Sequence, residues 1–354
     1  MRIYTELILG KTDPGLREPE KTYDITKATE HAALAESLGF DGIVATETKD
    51  DPFILLTLAA EATERIGLAS SVAIAFPRAP YVTAMAAWSL QRLSRGRFTL
   101  GLGSQVKGHI VRRFGLEFSP MGPWMRDYVG AVRAIWDCWQ NGTRLDYQSD
   151  RYNLNLVVPL FDPGPIDWPD IPIHLAGVNR YMCRIAGEMA DGLRPHPMCT
   201  PKYINEVMLD AFADGAGRTG RDARPRCIAM KPLVATGPDD ETLAKRTEDV
   251  RARVAFYAST PAYRPCFDIW GLGDLADRLS ELSRAQRWDD MPGMVDDEML
   301  NTFAVVGGYD EIADKLVERF SGTLDEVGFS IEVHDEDEAA MLKEMVGTVQ
   351  SSSA

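Results

Sequence analysis

Cysteine is scarce in this sequence, and its spacing excludes the usual uses of that residue. Only five cysteines occur in 354 residues, and no two of them form a Cys-x-x-Cys motif. An odd number of widely separated cysteines is not typical of a disulfide framework or of a zinc-binding knuckle. Reduced thiols fit this pattern, so we expect a cytoplasmic protein. The cysteines are Cys138, Cys183, Cys199, Cys227 and Cys266.

Long apolar runs and an excess of positive charge are also missing. No stretch approaches the roughly 20 apolar residues that cross a bilayer, and the opening MRIYTELILG is typical of a first strand rather than of a signal peptide. The 53 acidic residues outnumber the 38 basic ones, which gives a net charge of -15. Because so acidic a chain repels phosphate backbones, we expect neither a nucleic acid nor a membrane as a partner.

Two common catalytic signatures are absent as well. Metal-dependent barrel hydrolases carry a His-x-His motif after the first strand, but the segment TELILGKTD has no histidine. No metal site is therefore predicted. The segment GLGSQV has only the first two glycines of the Gly-x-Gly-x-x-Gly dinucleotide motif, so it gives weak support to the alternative of a doubly wound open sheet.

What the sequence does contain is a regular alternation of strand and helix patterns. About eight such pairs follow one another without a linker-like break, which predicts a single α/β domain, a (β/α)8 TIM barrel over residues 1–350. Insertions are expected near residues 142–170, with a short hairpin, and 260–305. The predicted strands are RIYTELIL, DGIVAT, RIGLASSVAI, GRFTLGLG, IPIHLAG, DGLRP, RCIAMKPLVAT and DEVGFSIEV.

The ends of these strands hold the candidate site residues, because chemistry in such barrels lies at the carboxyl ends of the strands. The third strand ends in an unusual segment, SSVAIAFPRAP, in which small residues lead to an aromatic and to an arginine between two prolines. The other strand ends include ATETKDD, GLGSQVKGH, HLAGVNR and RPHP. We therefore expect a ligand pocket at this end of the barrel.

Taken together, these segments resemble the luciferase-like monooxygenases, a barrel family that holds FMN or the deazaflavin coenzyme F420. The matching pieces cover nearly the whole chain, and the F420-dependent branch is the more similar one. The resemblance implies an oxidoreductase that transfers hydride between coenzyme F420 and an organic substrate, and it implies a homodimer. The pieces are LGFDGIVATET, RIGLASSVAIAFPRAP, LQRLSRGRFTLGLGSQ, IPIHLAGVNR, AGEMADG and VGGYDEIADKL.

The resemblance also suggests which residues hold the cofactor. It implies a non-proline cis peptide between Ser71 and Val72, packed behind the middle ring of the flavin. Glu47 would hydrogen-bond a cofactor hydroxyl or ring edge, or take part in catalysis. The cofactor is expected to approach the backbone closely at the glycine turn after the fourth strand, formed by Gly103, Ser104, Gln105 and His109. The cofactor phosphate is expected near the start of the helix that follows the fifth strand, at Ala176, Gly177, Val178 and Asn179.

Histidines at the strand ends are the candidates for proton transfer. His196, in RPHP, is the first choice for a group on the substrate side, and His109 is the second. Many F420-dependent relatives carry Asp-His where this chain has Glu47-Thr48, and sugar-phosphate dehydrogenases carry a Glu where Gln105 and Val106 stand. These departures argue against that dehydrogenase activity.

Two other functions remain open. A two-component FMN monooxygenase would need a separate reductase partner, and a non-catalytic flavin-binding barrel would need no turnover. The substrate is a small molecule that the sequence does not identify.

Overall fold

Eight parallel strands close into a barrel in the computed structural model, which describes residues 1–9 and 24–351. The predicted fold class is therefore confirmed. The strands are β1 (Arg2–Glu6), β2 (Gly42–Ala45), β3 (Gly67–Ser70), β4 (Phe98–Gly103), β5 (Ile173–Gly177), β6 (Gly192–Pro195), β7 (Cys227–Met230) and β8 (Glu326–Gly328). Each pairs with its neighbours in sequence order, and β8 closes the ring by pairing with β1.

Helices surround the barrel. The longer ones are α1 (Ala28–Ser37), α2 (Pro52–Ala62), α3 (Pro80–Leu93), α4 (Met121–Asn141), α5 (Arg180–Met189), α6 (Leu209–Thr219), α7 (Asp240–Ala258), α8 (Gly273–Arg284), α9 (Ile312–Phe320) and α10 (Glu336–Ser351). Short helices are Lys107–Arg112, Pro201–Tyr203, Arg264–Asp268 and Asp297–Phe303, and a π-helical stretch, Ile204–Met208, leads into α6. Among the helices described, none is long and apolar enough to span a membrane.

Two predicted strands differ from the structure. RCIAMKPLVAT is not one strand, because β7 ends before Lys231-Pro232, and proline cannot donate to a strand ladder. The chain then leaves the barrel, and Leu233–Gly237 pairs in parallel with Ala304–Gly308, a strand that was not predicted. The third predicted strand is also interrupted after Ser70 and resumes as Ala73–Ile74 beside β4. The hairpin predicted after α4 is confirmed as Tyr147–Gln148 and Asn153–Leu154.

The interior of the barrel holds a few large side chains, each facing a glycine. Alternate residues such as Tyr4 and Val44 form a small interior cluster, while their neighbours face the helices. A Cβ on Gly328 would lie 2.7 Å from the Tyr4 ring, and one on Gly192 would lie 2.5 Å from the His174 ring. The missing side chains therefore make the space that the aromatic rings occupy.

Two glycines bring the backbones of α5 and α6 together. A Cβ on Gly187 would lie 2.0 Å from the Phe212 carbonyl oxygen, and one on Gly215 would lie 1.9 Å from that of Arg184. No side chain fits at either position without moving the helices apart. Because α5 begins at the end of β5, this packing positions the β5 end of the barrel.

We expect Gly215→Ala to destabilise the protein by about 1–3 kcal/mol, because the new methyl group overlaps the α5 backbone. Gly217→Ala is a matched control in the same helix, since nothing lies within 4 Å of its Cβ position. Alanine there is expected to raise the free energy of unfolding by up to ~1 kcal/mol. Chemical denaturation of the two variants measures both effects, and equal stabilities would contradict the account.

Candidate active site

The unusual end of the third strand is joined to the end of the second by an arginine. Arg78 donates from Nη1 to Glu47 Oε2 at 2.6 Å and from Nη2 to Asp51 at 2.7 Å. Glu47 Oε2 also accepts the backbone N–H of Ile74 at 2.7 Å. Asp51 in turn caps α2 through the N–H of Phe53, as its position before Pro52 predicts. The arginine in FPRAP therefore fixes two neighbouring strand ends.

This network changes what can be said of Glu47. The side chain is 10% exposed, and one carboxylate oxygen is occupied by Ile74 and Arg78. The described residues leave its other oxygen, Oε1, without a hydrogen bond in the structure. Cofactor binding or catalysis by Glu47 stays a prediction, and only Oε1 is placed to serve it.

Small residues form a shallow surface beside Ser71 and Val72. The peptide bond between these two residues is cis, as the family resemblance implies. A Cβ on Gly103 would lie 2.5 Å from Val72 Cγ2 and 3.7 Å from Ala176 Cβ. Val72, Gly103 and Ala176 are therefore adjacent, on three neighbouring strand ends. The missing side chain of Gly103 makes the space that Val72 occupies.

The turn after β5 has the features of a phosphate site. Asn179 caps α5 by accepting the N–H of Met182 at 2.9 Å, and Tyr203 donates its hydroxyl to the Val178 carbonyl at 3.0 Å. Neither Val178 nor Asn179 donates its own N–H to any residue that the structure describes. Arg180, at the same turn, forms an exposed ion pair with Asp210. Backbone donors are thus available at this helix N-terminus.

His196 lies beneath an aromatic cluster contributed by the region after β7. Its ring stacks on Tyr263 with centroids 4.1 Å apart and meets Tyr257 edge to face. Burial lowers the pKa of His196 from 6.5 to about 3, so the ring is neutral at pH 7. Its Nδ1 accepts the backbone N–H of Met198 at 3.3 Å, so the proton of the neutral ring is on Nε2. His196 is therefore suited to donate a hydrogen bond from Nε2.

The other predicted residues are placed less decisively. His109 is exposed on the short helix that follows the glycine turn, with no side-chain contact to the residues above. Ser104 is half-buried, and Gln105 has a positive φ of 58°, which is uncommon for a residue with a side chain. Gly177 is buried and pairs with Pro195 as the last residue of β5. Their roles stay predictions.

Three charged groups at the barrel interior were missed from the sequence. Glu6, the last residue of β1, pairs with Lys231 at 2.8 Å across the ends of β1 and β7. Arg194, on β6, reaches across the interior and donates to Ser71 Oγ at 3.3 Å. Alternation along the strands places all three in the interior, but nothing in the sequence shows which interior charges meet. A small cavity of about 20 Å³ lies between Glu6, Lys231 and Ser330.

A larger cavity, about 980 Å³, opens at the amino ends of the strands and was not predicted. Several of its charged groups pair with one another. Asp191 accepts from both Arg133 and Arg221, and Arg2 pairs with Glu326 at 2.8 Å. Asp191 also accepts the N–H of Ile173 at the start of β5. These contacts tie strand starts together, and a ligand pocket at the carboxyl ends stays a prediction.

Comparison with known proteins places this geometry in a family. Residues 7–326 match the luciferase-like monooxygenase family, and the chain belongs to it. An uncharacterised protein of Mycobacterium tuberculosis is 41% identical over 303 residues, covering 86% of this chain and 89% of that protein. The F420-dependent glucose-6-phosphate dehydrogenase of Beutenbergia cavernae is 27% identical over 285 residues, covering 73% and 77%.

The fold is also shared with a solved structure. The coenzyme F420-dependent tetrahydromethanopterin reductase from Methanopyrus kandleri superimposes with a TM-score of 0.76 at 21% identity, over 99% of this chain and 98% of that one. Members of the family are oxidoreductases and monooxygenases that work with flavin or F420.

Replacing Arg78 tests the link between the two strand ends. Arg78→Met is expected to lower the free energy of unfolding by about 2–4 kcal/mol, because it leaves the nearly buried Glu47 carboxylate unpaired. Arg180→Met is the matched control, since the Arg180–Asp210 pair is exposed and contributes less than about 1 kcal/mol. Urea denaturation of both variants makes the comparison, and similar losses would contradict it.

The low pKa of His196 predicts a loss of stability in acid. The unfolded histidine takes up a proton as the pH falls below 6.5, whereas the folded one does so only near 3. The contribution of the neutral His196 to the free energy of unfolding is therefore present above pH 6.5 and is lost progressively below it. Between about pH 7 and pH 5, His196→Phe should show roughly 2 kcal/mol less loss of stability than the wild type.

Denaturation of the wild type and of His196→Phe at pH 7 and at pH 5 measures this difference. An unchanged loss in His196→Phe would contradict the assignment.

Proposed function

We propose that this protein is an oxidoreductase that transfers hydride between coenzyme F420 and a small organic substrate. The proposal rests on the turn after β5, where the N–H groups of Val178 and Asn179 have no acceptor among the described residues and Arg180 is paired with Asp210. Uncrowded N–H groups suit a phosphate that carries a single charge. The phosphate of the deazaflavin is such a diester, whereas FMN ends in a more highly charged monoester.

Relatives support the same cofactor. The glucose-6-phosphate dehydrogenase of Beutenbergia cavernae is F420-dependent by name and is similar over 73% of this chain. The sugar phosphate is not carried over, because Thr48 and Gln105 stand where that activity needs other residues. The substrate of this protein is therefore expected to differ from that of the dehydrogenase.

The residues would divide the work as follows. Val72, Gly103 and Ala176 would support the ring, and the N–H groups of Val178 and Asn179 would bind the phosphate. Bound F420 would supply or accept the hydride at its ring carbon. His196 would donate a hydrogen bond from Nε2 to the substrate atom on which negative charge develops, because its ring is neutral and its Nδ1 is already occupied.

An FMN-dependent monooxygenase, with its reductase partner, is the alternative function, since the family includes such enzymes. A non-catalytic flavin-binding barrel is the other. Steady turnover of reduced cofactor with a substrate would exclude the latter. A homodimer stays a prediction that light scattering can test.

Titration of the purified protein with each cofactor, followed by fluorescence quenching, tests the proposal. We expect coenzyme F420 to bind at least tenfold more tightly than FMN, a difference of about 1.4 kcal/mol. Gly103→Ala should weaken this binding at least tenfold, because the methyl group displaces Val72 from the ring surface. Gly217→Ala, in α6 with nothing within 4 Å of its Cβ position, is the control for binding.

Equal or tighter binding of FMN would overturn the choice of cofactor and favour the monooxygenase. Binding that Gly103→Ala leaves unchanged would place the ring elsewhere in the barrel.

A further inference from the structure

Arg194 is a charged side chain enclosed in the barrel without an acidic partner. It is 4% exposed, and its Nη1 donates to Ser71 Oγ at 3.3 Å. Its Nε makes no hydrogen bond. Within residues 1–9 and 24–351, no carboxylate lies within the 4.0 Å that defines an ion pair with it. The guanidinium therefore carries its charge without a direct ion pair. The carboxylates of Glu6 and Glu326, which act on the neighbouring Tyr4, lie farther from it.

Three of the side chains around Arg194 are neutral. Its Cζ lies 5.9 Å from the centre of the Tyr4 ring on β1, and burial raises the pKa of the Tyr4 hydroxyl. Burial likewise raises the pKa of Cys227 on β7 to about 12 and lowers that of His174 on β5 to about 3. At pH 7 none of these side chains carries a charge that could balance the arginine.

Retaining such a charge is costly for the folded state. An unpaired ion in a protein interior loses its hydration, and an apolar side chain of similar size is often at least as stable. The arginine lies beside Gly101, where a Cβ would be 1.9 Å from the Ser70 carbonyl oxygen and 3.1 Å from Arg194 Nε. A buried charge that lowers stability and that packing does not require is expected where the function of the protein needs that charge.

The position of the guanidinium indicates what that function is. Its contact with Ser71 puts the charge behind the Ser71-Val72 segment, close to the surface formed by Val72, Gly103 and Ala176. On the proposed function, this surface supports the cofactor ring. A ring that takes up a hydride gains an electron pair and one negative charge, while the substrate carbon loses that pair.

We propose that Arg194 is a positioning residue that acts through Ser71 and through its buried charge to favour the negatively charged, hydride-bearing form of a bound ring. The ligands that would respond to this charge are those with a heteroaromatic ring that can delocalise a negative charge. In a low-dielectric interior, a charge acts on its neighbours without direct contact. Its effect is on the equilibrium between the two redox forms, with little effect on the affinity for the oxidised form.

The test uses Arg194→Met, which keeps an unbranched apolar stem and removes the charge. Dissociation constants for oxidised and reduced coenzyme F420, measured without oxygen, are expected to show at least tenfold weaker binding of the reduced form. Binding of the oxidised form should change less than about threefold. The midpoint potential of the bound cofactor should then fall by about 30 mV, which is a tenfold change for two electrons.

The melting temperature of the cofactor-free protein separates this role from a structural one. We expect Arg194→Met to melt no lower than the wild type, because it removes an unpaired buried charge. Arg194→Lys, which keeps the charge, should leave the midpoint potential of the bound cofactor close to that in the wild type. Arg221→Met, at the other end of the barrel, should leave the potential unchanged. If Arg194→Met does not fold, Arg194→Gln serves in its place.

An unchanged potential in a folded, cofactor-binding variant would overturn this inference alone. Equal weakening of both redox forms, together with a lower melting temperature, would show a structural role and would also overturn it. Failure of the wild type to bind either F420 or FMN would overturn the proposed function, and this inference with it.

Discussion

Packing of large polar side chains against glycines inside the barrel is the constraint on which the rest of the structure depends. Barrels of this class are usually filled by branched apolar residues. Here Tyr4, His174 and Arg194 cross the interior and occupy space left by Gly328, Gly192 and Gly101. Each glycine is needed because a methyl group at its position would overlap the facing side chain or a backbone atom. Sites at the two ends of the barrel are therefore separated by a polar but tightly filled middle.

Above this filled middle, the candidate site is held by contacts between neighbouring strand ends. Arg78 joins the ends of β2 and β3 through Glu47 and Asp51, and Arg194 joins β6 to Ser71. The first charge is balanced by two carboxylates, whereas the second forms no ion pair with any residue that the structure describes. The paired arginine, Arg78, thus has a structural role. To Arg194, which is not paired, we assign an electrostatic role.

Much of the fold followed from the sequence, because strand and helix periods alternate clearly and each strand end has a distinct stop. The position of Asp51 before Pro52 predicts a helix cap, and the structure has that bond. Asn179, which was predicted to bind the cofactor, also caps its helix. The sequence could not show that Lys231 lies opposite Glu6, since the two are 225 positions apart and meet only through barrel closure. The break at Pro232 was missed because the apolar pattern continues across it. The tautomer of His196 depends on a single backbone contact, which no sequence pattern predicts.

The parallel pairing of Leu233–Gly237 with Ala304–Gly308 limits how this chain can vary in length. Leu233 lies beside Ala304, and Gly237 lies beside Gly308. The chain therefore leaves the first strand at Gly237 and must return to the opposite end of the pair to enter the second strand at Ala304. Parallel strands need a crossover connection, and these five-residue strands are about 17 Å long. A tight turn cannot replace residues 238–303. A deletion that removes this region would separate the two strands, so shortened variants are expected to lose the strand pair as well as the aromatic cluster over His196.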